Sequence, residues 1–175
     1  FCTGFQPLKL TTAEIVPLDV MPMRWDESMM GGQSGKVAVV TGSNTGIGYY
    51  MARALASKGA SVIMACRDRT KGEVARDRIL EEFPDSEVSV SVLDLADLSS
   101  IEEFADGFPS ERGLDILINN AGVMIPPKSR TKDGFELQFG TNHLGHFALT
   151  GRLLPVLERT DGSRVVTVSS IAHNP

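Results

Sequence analysis

The residues of this chain best suited to chemistry are glycines. Thr41-Gly42-Ser43-Asn44-Thr45-Gly46-Ile47-Gly48 places three of them in eight positions. Gly42 permits a tight turn, Gly46 a close backbone approach, and Gly48 close packing of a helix on a strand. A helix opening in this loop would present unpaired N–H groups and a positive dipole end, which suit a pyrophosphate. Other polar residues are less decisive. His143 and His146 stand three apart, a metal-like spacing, but two histidines without a third ligand make a weak site. They are assigned to packing or surface, as is His173. Cys66 reads as a small buried apolar residue rather than a nucleophile. Asn142 sits inside Thr141-Asn-His-Leu-Gly145, where a helix would find it mildly unfavourable.

Elements that alternate in type must position these residues. Lys36-Val-Ala-Val-Val-Thr41 is a short apolar run ending in the glycine turn, the pattern of a buried parallel strand. Helix formers follow from Gly46 to Lys58, and Gly59 stops them. Further strands are predicted over Ser61–Ala65, Glu87–Leu93, Leu114–Ile118 and Ser163–Val168. Helices are predicted over Thr70–Phe83, Leu98–Phe108 (capped by Asp97 or Ser99) and Asp133 to about Arg159. This rhythm predicts right-handed βαβ units in an α/β, doubly wound parallel sheet, the Rossmann architecture. The strand order expected is 3-2-1-4-5, with ligands beyond the carboxyl ends of the strands.

With strand before and helix after, TGxxxGIG resembles the fingerprint of the short-chain dehydrogenase/reductase family, and every fixed position matches. Asn119-Asn120-Ala121-Gly122 matches the family's NNAG at the end of the fourth strand. The resemblance spans Lys36 to Pro175. Around Ala65-Cys-Arg-Asp68 and Ser169-Ser-Ile-Ala-His173 it is closest to the retinol-dehydrogenase-like and protochlorophyllide-reductase-like branch. It implies reversible hydride transfer between a nicotinamide cofactor and a carbonyl or alcohol. It implies that Asp94 meets the adenine edge with backbone help from Leu95. Asn119 would support the sheet, while Asn120, Ala121 and Gly122 line the cofactor ribose. Asn142 would disturb its helix and hold a relay water, and Ser170 would polarise the substrate carbonyl, with Ser169 structural.

NAD-binding members end the second strand with an acid. Here Cys66 stands there, followed by Arg67, whose guanidinium suits a 2′-phosphate, and Lys71 adds a second charge. NADP(H) is therefore the expected cofactor; an Asp68 facing the ribose would favour NAD instead.

The family's tyrosine and lysine, four residues apart, would follow Ser170 by a little over ten positions. Tyr49 and Tyr50 are followed at that spacing by Arg53 and Ala54, which do not fit. The 175 residues are accordingly expected to be a C-terminally incomplete domain with little turnover. The alternatives are a non-catalytic NADP(H)-binding module or a truncated product without independent function. An apolar helix face with Leu144, Phe147 and Leu153 is expected to be exposed. The full-length protein is expected to be a homo-oligomer acting on a small molecule.

Bulk properties exclude other classes. A net charge of −5, from 17 basic and 22 acidic residues, gives no footprint for nucleic acid or an anionic membrane. Two cysteines are too few for a disulfide scaffold, which favours a cytoplasmic setting with reduced thiols. No apolar run reaches the ~18 residues of a membrane span. Residues 1–35 are expected to be a leader, disordered or peripheral, and 36–175 the dinucleotide-binding domain; no metal is expected.

Overall fold

The computed structural model describes residues 26–170. Most of the expected leader, and His173, lie outside the described residues. Within Asp26–Met30 there is one short 3-10 turn, Glu27–Met29, capped by the Asp26 carboxylate.

From Gly31 onward the chain forms a five-stranded parallel sheet in the order β3-β2-β1-β4-β5. The strands are β1 (Val37–Thr41), β2 (Ser61–Cys66), β3 (Val88–Val92), β4 (Ile116–Asn119) and β5 (Arg164–Thr167). The central strand β1 is buried at all five positions, as a parallel strand covered on both faces requires. Its Val39 stands opposite Ile63 on one side and Leu117 on the other. Serine and valine alternate along the outer strand β3, which is only partly covered. The expected architecture and strand order are those observed.

Helices α1 (Gly46–Ser57), α2 (Arg69–Glu82) and α3 (Leu98–Asp106) make the crossovers. Carboxylates start two of them. Asp68 accepts from Lys71 N at 3.0 Å to cap α2, and Asp97 accepts from Ser99 N at 2.9 Å to cap α3. The core lies between the sheet and the α3 side. Val39, Leu117, Ile101, Phe104, Leu149 and Leu153 meet there. Among the described residues no helix is long and apolar enough to cross a membrane.

The single long helix expected from Asp133 is instead three pieces. Thr131–Glu136 is a turn, closed by Thr131 N donating to Phe135 O at 2.9 Å. Gly134 at φ +87° cannot be helical. The Glu136 carboxylate caps the next helical turn by accepting from Gln138 N and Phe139 N at 2.9 and 2.7 Å. Then come α4 (Leu137–Phe139), a wider π turn (Gly140–Gly145) and α5 (His146–Arg159). The fourth strand begins two residues later than expected. Leu114 N is taken by Thr160 Oγ1 at 3.0 Å, and the Asp115 carboxylate accepts from Val37 N at 2.8 Å.

The expected exposed face on α5 needs correction too. Phe147 is exposed, but Leu153 is 2% exposed and belongs to the core, and Leu144 is half-buried. Leu153 lies one turn from Leu149, on the stripe that meets α3.

The Asp97 cap does a second job. Lys132 Nζ lies 2.7 Å from Asp97 Oδ2, and Lys132 N donates to Ala96 O at 2.9 Å, which straps the loop before α4 over the start of α3. The Lys132 ammonium is the main reason the Asp97 carboxyl is held down at about 2.

Leu149 has no exposed surface and touches α3 and the sheet, so its truncation leaves a cavity that rigid neighbours cannot close. Leu149→Ala is expected to destabilise the fold by about 2–5 kcal/mol. Urea unfolding should show a lower midpoint with an unchanged slope.

Candidate functional site

The carboxyl ends of β1, β2, β3 and β4 open on one cleft of about 370 Å³. That volume suits an organic ligand of tens of atoms rather than an ion or a water. Gly42, Asn44, Thr45, Ile47 and Gly48 form one wall, and Ala65 and Arg67 the end beyond β2. Leu93, Asp94 and Leu95 follow β3, while Asn120, Ala121, Gly122 and Val123 follow β4. Thr141 of the π turn closes the far side. The topology thus gathers onto one surface residues about a hundred positions apart in sequence.

The glycines of the loop meet different demands. A Cβ on Gly42 would lie 2.8 Å from Ala121 Cβ, and its φ is +64°, so both conformation and contact require glycine. A Cβ on Gly48 would collide with Asn120 Nδ2 and lie 2.6 Å from Gly42 O. Gly48 therefore packs against the exit of β4 and its own loop rather than against the body of β1. Gly46 has φ +59° and open space where a Cβ would be. Thr45 makes no side-chain cap, so the first turn of α1 lacks the carboxylate that α2 and α3 have. An uncapped helix start beside open space and left-handed glycines fits a ligand carrying a pyrophosphate.

Several expected site residues are placed otherwise. Ser43 is fully buried. Its hydroxyl donates to Val40 O at 2.9 Å and sits 3.6 Å from Cys66 Sγ, because its side chain points into the core as the chain turns. Its side chain is thus removed from the cleft wall. Burial pushes the Cys66 thiol up from its ordinary value, which favours an inert thiol. Lys71 lines a neighbouring hollow with Asn44, Thr45, Thr70 and Arg78 rather than the main cleft, and its ammonium is 3.7 Å from Asp68 Oδ2. Asp68 is engaged as the α2 cap and does not line the cleft, whereas Arg67 does.

Asp94 is on the cleft wall, its Oδ1 accepting from Ala96 N at 2.9 Å. Asn119 turns inward, its Nδ2 donating to Thr150 Oγ1 at 3.0 Å, which ties β4 to α5. Tyr49 and Tyr50 pack edge to face on α1, 5.4 Å between centroids. Ser170 is exposed, three residues past β5, and borders neither hollow.

Asn142 sits in the π turn, where its side chain grips one residue. Its Oδ1 accepts from Val123 N and its Nδ2 donates to Val123 O, both at 2.8 Å. The two bonds mimic a strand pairing and draw the widened turn against the exit of β4. Gly145 makes the approach possible, since a Cβ there would collide with Leu95 O.

Two residues emerge that sequence inspection passed over. Thr41 Oγ1, with no exposure, accepts from Asn120 N and Ala121 N at 2.9 Å each. His146, which its sequence context assigns only to packing or surface, is 5% exposed and lies 2.9 Å from that same oxygen through Nε2. Its Nδ1 is 2.9 Å from Asn142 O. The available signal was the four-residue spacing of Asn142 and His146, which puts both on one helix face. His143, by contrast, stacks on Phe139, 5.2 Å between centroids.

The family model for short chain dehydrogenases matches residues 36–174. The chain belongs to the short-chain dehydrogenase family. That family comprises oxidoreductases that use nicotinamide cofactors. The chain is 56% identical to retinol dehydrogenase 12 of Homo sapiens over 141 residues, 80% of this chain and 45% of that protein. It is 53% identical to retinol dehydrogenase 11 of Homo sapiens, over 80% of this chain and 44% of that relative. The chain therefore spans under half the length of these curated relatives and falls in the retinol-dehydrogenase-like branch of the short-chain dehydrogenases. Among solved structures, an uncharacterised protein from Mycobacterium paratuberculosis superposes with TM-score 0.76 at 52% identity, covering 85% of this chain and 51% of that one. A metagenomic short-chain oxidoreductase solved in complex with NADP superposes with TM-score 0.71 at 29% identity, covering 81% and 65%.

Burial holds His146 below the ordinary histidine value, against the opposing effect of its bond to the Asn142 carbonyl. As pH falls, the unfolded chain therefore takes up this proton first. The stability owed to neutral His146 is complete above about pH 6.5 and is lost below it, toward the lower folded-state value. Melting temperatures measured from about pH 7.5 down to about pH 5.5 should fall more steeply for wild type than for His146→Gln. Parallel curves would mean that this ring does not titrate on unfolding.

Proposed function

We propose that the protein carrying this chain transfers hydride between NADP(H) and a carbonyl or alcohol of an apolar small molecule. The observation that carries the cofactor choice is at the end of β2. Arg67 stands on the cleft wall, while the adjacent carboxylate, Asp68, is turned to cap α2 and faces Lys71. A guanidinium whose neighbouring acid is engaged as a helix cap suits the extra phosphate of NADP. The structure solved with NADP supports the same choice. The relatives named retinol dehydrogenases support an apolar alcohol such as retinol, or its aldehyde, as the substrate class.

In this assignment the loop Gly42, Ser43, Asn44, Thr45, Gly46, Ile47 and Gly48 holds the pyrophosphate through backbone N–H groups, which is compatible with a buried Ser43 side chain. Arg67 binds the 2′-phosphate, with Lys71 adding charge from the next turn. Asp94 and Leu95 hold the adenine edge, and Asn120, Ala121 and Gly122 hold the ribose. The nicotinamide, when bound, supplies or accepts the hydride. Asn142 orders the π turn beside it and, through that turn, a relay water. Ser170 polarises the substrate oxygen. Tyr49 and Tyr50 pack on each other on α1 and do not line the cleft, so neither is assigned as the proton donor.

Fluorescence titration with NADPH and NADH tests this assignment. Wild type should prefer NADPH. Arg67→Ala should weaken NADPH by roughly ten- to a hundredfold, the cost of one charge-assisted contact, and leave NADH within about threefold. Equal losses for both dinucleotides would place Arg67 elsewhere than on the 2′-phosphate.

A further inference from the structure

We propose that His146 is a positioning residue that locks the π turn to the wall of the cleft by bridging the Asn142 carbonyl and the Thr41 hydroxyl. The proposal rests on the assignment of that cleft to a dinucleotide.

Hydrogen-bond arithmetic leaves one arrangement. A carbonyl only accepts, so the contact of 2.9 Å between His146 Nδ1 and Asn142 O places the proton on Nδ1. Thr41 Oγ1 has two lone pairs, and the Asn120 and Ala121 amides, each 2.9 Å away, use both. Its own proton must then be donated. The bare Nε2 of His146 lies at 2.9 Å, whereas the other acceptor in reach, Ile118 O, lies at 3.3 Å. Only the neutral ring protonated on Nδ1 satisfies all these partners at once. Thr41 has no exposure and His146 only 5%, so bulk water does not reach this bond in the native fold.

The consequence falls on the exit of β4. Asn120 and Ala121 are held through Thr41, and Val123 is held directly by the Asn142 side chain at 2.8 Å on both its N–H and its carbonyl. His146 joins these two anchors, one on each side of Gly122. A side chain that merely filled the space would leave Asn142 O without this donor and Thr41 without its nearest acceptor. The segment Asn120–Val123 would then sample positions off the ligand-competent one, and apparent affinity falls in proportion to the population lost.

The test uses the full-length protein and two readouts. In the wild type without cofactor, imidazole ¹⁵N chemical shifts should report a His146 ring protonated on Nδ1 and bare on Nε2. In NADPH titrations, His146→Leu should raise Kd about tenfold, as expected for orphaned buried partners. His146→Gln, whose amide oxygen can accept from Thr41, should stay within about threefold of wild type even where both variants melt lower. Should His146→Leu not fold, His146→Asn takes its place, since it keeps the donor to Asn142 O and drops the acceptor for Thr41. A ring protonated on Nε2, or Gln and the disabling variant binding NADPH equally well, overturns the proposal. Failure of the wild type to bind either dinucleotide overturns the cofactor assignment instead, and the ring tautomer still decides whether the lock exists.

Discussion

The hydroxyl of Thr41 lies at the carboxyl end of the central strand with no exposure to water, and three segments of chain meet on it. β4 sends it two amides, α5 sends it His146, and β1 supplies it. An unsatisfied hydroxyl at such a depth would cost about 1–3 kcal/mol, so the segments must arrive together or not at all. The glycine loop is bound by the same geometry. Asn120 Nδ2 donates to Thr41 O at 2.9 Å, and Gly42 approaches Ala121 so closely that a methyl group would collide. The glycine loop and the β4 exit are two halves of one junction, and the cleft is the space on its open side.

That junction explains why the helical segment after Glu136 is irregular. In the π turn Gly140–Gly145, Asn142 offers both ends of its amide to Val123. Widening to a π turn holds the side chain in place, and the loss of regular bonding is offset by the two contacts of 2.8 Å. On the other flank, Gly145 lets the turn slide under the Leu95 carbonyl. The wall that follows β3 and the wall that follows β4 are thus braced by the same π turn.

Charge at the cleft is sparse and directed. Asp68 and Asp97 both end strand-to-helix connections and both are turned onto backbone amides of the helix beyond them. Lysines accompany them, Lys71 beside Asp68 and Lys132 beside Asp97. Both carboxylates are therefore partnered away from the cleft, whose lining carries Arg67 and Asp94, the latter accepting from Ala96 N. At the opposite edge the four residues of β5 are exposed, and Val165 shares a hollow with the exposed Phe147 of α5.

The α/β class, the parallel sheet and its strand order were legible in the sequence, because buried parallel strands read as short apolar runs and each helix is bounded by a cap or a glycine. The turn at the glycine loop was legible too, since Gly42 and Gly46 adopt a positive φ that depends on local residue type. What required the tertiary structure was the direction of side chains. Ser43 and Arg67 both come just after the end of a strand, yet one turns into the core and the other to the cleft. Asp68 could have faced a ribose until α2 claimed it as a cap. The break at Thr131–Glu136 is set by Gly134 at a positive φ and by contacts to residues more than thirty positions away. His146 shows the limit most clearly. Its type and spacing state only that it shares a face with Asn142. Its role comes from Thr41, 105 residues earlier, and only folding brings that hydroxyl to its ring.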